Sequence, residues 1–131
     1  MIDRHWNAGY LATVFGAIFV AIGVLGFIPN PILSDNGYFL VNTAHNLGHM
    51  LVGAILLASP YFGAPAMTIR VIAIFYAALA ILGFIAPESL TMGGLVAVNY
   101  ADNWLHAALA AALLFVGFVK PAERPVTTAH M

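Results

Sequence analysis

Four apolar runs of membrane length organise the chain: Tyr10 to Ile28, Thr43 to Ala58, Val71 to Ala86 and Ala101 to Val119. A hydrocarbon layer of about 30 Å takes roughly 20 helical residues to cross, so each run predicts a membrane helix. Prolines punctuate the runs. Pro29 and Pro31 follow the first, Pro60 the second, Pro87 the third and Pro121 the fourth, and proline both lacks an amide hydrogen and restricts the residue before it. Ser34-Asp35-Asn36-Gly37 and Met92-Gly93-Gly94 read as turns rather than strands. A cleaved signal peptide competes for the first run, but the leader Met1 to Trp6 carries Asp3 and no small-residue cleavage site follows, so the run is read as a helix.

Composition strengthens this picture. Of 131 residues, 63% are hydrophobic and 7% charged, against about 25% charged in a soluble domain. Residues 1–131 therefore predict a single integral membrane domain with the lipid bilayer as its partner, and 121–131 a short flexible tail. Four basic residues against five acidic ones leave no positive field for nucleic acid. The absence of cysteine excludes disulfides and thiolate sites, and no nucleophile elbow or phosphate loop supports hydrolytic or nucleotide chemistry. Arg4 precedes the first helix, Arg70 lies between the second and third, and Lys120 and Arg124 follow the fourth. The positive-inside rule thus places both termini in the cytoplasm.

Sliding the sequence against itself by 57 residues aligns Leu25-Gly26-Phe27-Ile28 with Leu82-Gly83-Phe84-Ile85, and Val41-Asn42 with Val98-Asn99. Residues 10–61 and 67–118 share 16 identities in 52 ungapped positions. The pattern predicts an all-α bundle of four transmembrane helices, made of two tandem helical hairpins related by a pseudo-two-fold axis along the membrane normal. On the first helix Gly9, Gly16 and Gly23 recur every seven residues, opposite Ala66, Ala73 and Ala80 in the second unit. This small-residue seam predicts close helix packing.

The chemistry lies in a repeated polar segment: Asn42, His45, Asn46 and His49 in the second helix, and Asn99, Asp102, Asn103 and His106 in the fourth. The spacing i, i+3, i+4, i+7 puts each set on one helical face, and lipid penalises such a face, so both should turn inward and meet. His45 and Asp102 occupy equivalent positions, and a hydrogen bond between them is one expectation. The cluster has several readings. His45, His49, Asp102 and His106 would make a divalent metal site suited to zinc or another first-row ion. The pair His49 and His106 could ligate haem, although no attachment motif is present and the chain is short of the bulk needed to enclose a macrocycle. A proton relay or a pocket for a small polar molecule or quinone head group is a third reading. In the last, the side chains are interhelical hydrogen bonds that fix the bundle, and the four amides favour it, because Asn is an unusual metal ligand.

Leu25-Gly26-Phe27-Ile28-Pro29, Val41-Asn42-x-x-His45-Asn46-x-x-His49 and Ala101-Asp102-Asn103-x-Leu105-His106 together resemble the bacterial four-helix membrane proteins grouped as a domain of unknown function. The resemblance spans about residues 10–119. It implies four spans and a bacterial inner-membrane setting, and supplies no mechanism. The sequence thus reads as a small membrane protein, a structural or interaction subunit whose cluster fixes the bundle, with metal binding or proton handling as the alternative. So small a bundle encloses little volume, and a transport route would need a homo-oligomer or another membrane protein as partner.

Overall fold

The computed structural model describes residues 7–119. Arg4, His5, Trp6, Lys120, Arg124, His130 and the expected tail lie outside the described residues. Helix α1 spans Ala8–Leu25, α2 Thr43–Ala58, α3 Pro65–Ile85, α4 Pro87–Leu90 and α5 Tyr100–Leu114, with a π-helical segment Phe115–Val119 continuing α5. Three helical stretches, Ala8–Leu25, Pro65–Ile85 and Tyr100–Val119, are long and apolar enough to cross a membrane. The fourth apolar helix is shorter: the 16 residues of α2 rise only about 24 Å at 1.5 Å per residue.

The ends of the helices differ from the apolar runs for local reasons. Asn7 caps α1, its Oδ1 accepting from the Gly9 amide at 2.7 Å, so the helix starts before Tyr10. It stops short of Ile28 because the Phe27 and Ile28 amides turn back to the Val24 and Leu25 carbonyls. Helix α3 begins at Pro65, where a missing amide hydrogen and a fixed φ cost nothing. Arg70, expected in the connection before this helix, therefore lies within it. Its Nε donates to the Gly117 carbonyl at 2.7 Å, and its guanidinium lies 5.6 Å from the Phe118 ring centre, which satisfies the charged group beside the π segment.

The Ser34-Asp35-Asn36-Gly37 turn closes with a Gly37 amide to Ser34 carbonyl bond of 3.2 Å. Contrary to the reading without strands, it is flanked by two-residue strands, β1 (Leu33–Ser34) and β2 (Phe39–Leu40), paired in parallel. Asn30 holds this fold: its Nδ2 donates to the Leu33 and Ile28 carbonyls at 2.6 and 2.7 Å, while its Oδ1 accepts from the Leu33 amide at 2.7 Å. In the connection between α4 and α5 Met92, Gly93 and Gly94 all take positive φ, so this turn uses the left-handed region that glycine enters without strain.

Helix α1 packs chiefly on α2, and α3 on α5. The glycine seam performs the first packing. A Cβ at Gly16 would stand 2.9 Å from the Gly53 carbonyl oxygen, and one at Gly23 would stand 2.8 Å from that of Asn46. Phe19, Leu56, Ile69, Tyr76 and Leu113 fill the core where the pairs meet. Leu51, Val71, Ile74 and Ile81 face outward, the arrangement expected when the solvent is lipid.

Candidate functional site

All eight polar positions occur at the start of α2 and α5, and they divide by task. Asn42 and Asn99 are the N-caps. Asn42 Oδ1 accepts from the His45 amide at 3.1 Å, and Asn99 Oδ1 accepts from the Asp102 amide at 3.0 Å. Each cap uses its side-chain amide on the connection that precedes the other cap: Asn42 Nδ2 donates to the Leu95 carbonyl at 3.0 Å, and Asn99 Nδ2 to the Tyr38 carbonyl at 2.9 Å. Tyr38 and Leu95 are themselves 57 residues apart, so the two bonds are reciprocal.

Asn46 and Asn103 fix the helix pairs. Asn103 Nδ2 donates to the Gly83 carbonyl at 2.9 Å. The Oδ1 atoms of Asn46 and Asn103 are buried and lack a conventional donor. They lie against Gly26 and Gly83, where a Cβ would overlap them, so a glycine Cα–H points at each amide oxygen as a weak donor.

Asp102 completes a capping box on α5, its Oδ2 accepting from the Asn99 amide at 2.8 Å. A carboxylate in the first helical turn also suits the helix dipole. The expected bond to His45 is not made. His45 Nδ1 instead donates to the Ala97 carbonyl at 2.7 Å, because residues at equivalent places in the two units face each other's loops rather than one another.

The histidines do converge. His45, His49 and His106 offer ligand nitrogens that all lie within 4.8 Å of one another, and all three residues are buried. Asp102, the fourth ligand expected from sequence, is not in this group. The His45 ring centre lies 4.5 Å from that of His49 and 5.7 Å from that of His106. Since a carbonyl only accepts, the Ala97 bond puts a proton on Nδ1 of His45, and such a bond from the ring to the backbone is the second-sphere arrangement that orients a metal-bound imidazole. Nδ1 of His49 and Nδ1 of His106 are buried without a hydrogen-bond partner. An unsatisfied buried polar atom costs about 1–3 kcal/mol, a cost that a bound ligand would remove.

Tyr76 on α3 belongs to the same cluster, although the sequence reading passed over it within an apolar run. Its ring lies 5.5 Å from that of His106 and 5.2 Å from that of Phe19. The legible signal was the alignment of Phe19 with Tyr76 at the 57-residue offset, an added hydroxyl in a buried position. Beside the histidines, between α2 and α3, is a cavity of about 250 Å3 lined by His45, His49, His106, Tyr76 and apolar side chains.

Searches of curated proteins and of solved structures returned no match. The model of the family described as a domain of unknown function, DUF4383, matches residues 10–119, and the chain, a small membrane protein, belongs to that family.

Proposed function

We propose that this membrane protein binds a divalent first-row metal ion, zinc being the type ion, through His45, His49 and His106. The observation that carries this reading is the convergence of three buried imidazoles with two unpartnered Nδ1 atoms. Zinc takes neutral imidazole nitrogen at about 2.0–2.1 Å, which sets ligand nitrogens about 3.3 Å apart in a tetrahedral site. The three histidines' ligand nitrogens lie within 4.8 Å of one another, so holding the ion requires them to draw together by up to about 1.5 Å. Asn42, Asn46, Asn99, Asn103 and Asp102 serve the structural role that the sequence favoured for the whole cluster, holding the histidines in place.

The architecture in this reading is a four-helix bundle of two tandem hairpins, units 10–61 and 67–118, within one membrane domain. Reciprocal bonds from Asn42 to Leu95 and from Asn99 to Tyr38 support the two-fold relation. A bacterial inner-membrane location with cytoplasmic termini follows from the positive-inside rule and the resemblance drawn above.

Metal analysis of the detergent-purified protein after zinc loading and dialysis tests the proposal. Near-stoichiometric zinc is expected, with strong loss in His49→Ala and His106→Ala variants that retain wild-type far-ultraviolet circular dichroism. Absence of bound metal in the wild-type chain overturns the reading. A Soret band in the purified protein would assign His49 and His106 to haem instead.

A further inference from the structure

We propose that the cavity between α2 and α3 binds a neutral, lipid-soluble molecule of single-ring size, whose nitrogen or oxygen donor completes the coordination of the metal. The proposal rests on the three-histidine metal site and adds its exogenous ligand. Three protein ligands leave a tetrahedral ion one position short, the arrangement of open rather than closed zinc sites. His45, His49 and His106 all line this cavity, so the vacant position opens into it.

The walls define the chemistry of the occupant. Leu51, Phe75 and Leu79 supply apolar surface, and no Asp, Glu, Lys or Arg lines the cavity, which excludes an ionic guest. Leu51 is 62% and Phe75 48% exposed, so the mouth lies on the lipid-facing surface. A cavity of about 150 Å3 holds benzene, and this one, at about 250 Å3, holds a substituted ring. Tyr76 is only 2% exposed, yet its hydroxyl makes no hydrogen bond among the described residues. Buried tyrosine hydroxyls usually find a partner, and a polar atom on the guest supplies one.

Asymmetry between the halves points the same way. At the 57-residue offset His45 replaces Asp102 and Tyr76 replaces Phe19. Both departures fall on the wall of this one cavity. Packing alone gives no reason for two changes that each add ligand-binding capacity to the same side of the axis.

Cobalt(II) substitution with 4-phenylimidazole as the probe tests the proposal, because cobalt ligand-field bands report loading and coordination separately. The probe is expected to shift the bands of the loaded wild-type protein. Leu51→Trp, placed at the mouth, should keep the cobalt bands and their response to unsubstituted imidazole, a smaller neutral ligand, while weakening probe affinity at least tenfold. Tyr76→Phe should keep the bands and weaken the probe severalfold. Cobalt bands that do not respond to the probe overturn this proposal and leave the metal site standing, as does equal probe affinity in wild type and Leu51→Trp. Absence of cobalt bands overturns both.

Discussion

Asn103 on α5 donates to the carbonyl of Gly83 on α3 at 2.9 Å, and its Cγ lies 2.6 Å from where a Cβ on residue 83 would stand. The polar face of α5 is thus seated on the absence of a side chain. Gly26 stands in the same relation to Asn46, with the corresponding separation again 2.6 Å.

Gly83→Ala and Gly26→Ala should each destabilise the protein by about 1–3 kcal/mol, the usual cost of overpacking, despite the better helix propensity of alanine. Gly48→Ala is the control. Nothing lies within 4 Å of a Cβ there, so this change should be neutral or slightly stabilising. Thermal unfolding in detergent reads the difference; equal effects at all three positions would contradict the close approach.

Asn99 combines a helix cap with a tie to the opposite connection. Asn99→Ala removes both and should cost about 0.5–2 kcal/mol from the cap alone. Asn99→Asp keeps an acceptor for the Asp102 amide but loses the donor to the Tyr38 carbonyl. Amide hydrogen exchange should then quicken around residues 33–40 in both variants, whereas the start of α5 should fray only in the alanine variant.

Asp102→Asn separates the two tasks of the cluster. Asparagine retains an oxygen for the Asn99 amide but loses the charge that favours the N-terminus of α5, a change of about 0.3–1 kcal/mol. Zinc stoichiometry should stay at the wild-type level. Loss of bound zinc with an intact circular dichroism spectrum would return the carboxylate to the ligand set.

Arg70→Lys tests the support of the π-helical segment. Lysine keeps the charge but cannot reproduce the Nε bond to the Gly117 carbonyl. A loss of about 1 kcal/mol is expected for that bond, with faster amide exchange confined to the segment Phe115–Val119 and its flanks. Unchanged exchange there would show that the segment holds without the guanidinium.

Local signals made the helices legible. Sustained apolar runs required helices because each backbone group must find its partner within the segment in lipid. The spacing of Asn42, His45, Asn46 and His49, repeated as Asn99, Asp102, Asn103 and His106, marked two faces that lipid would not accept. The beginning of α3 was missed because Arg70 looked like a boundary, and only Gly117 on a distant segment explains how that charge is held inside a helix.

The sequence by itself determined the helical character, the turn regions and the identity of the polar face, since these follow from periodicity and from residues close together in the chain. Tertiary structure decided how that face is divided. It gave His45 to the Ala97 carbonyl, gathered three histidines and brought Tyr76 beside them. Each outcome depends on where non-adjacent segments lie relative to one another, because a polar side chain acts through the partner within its reach.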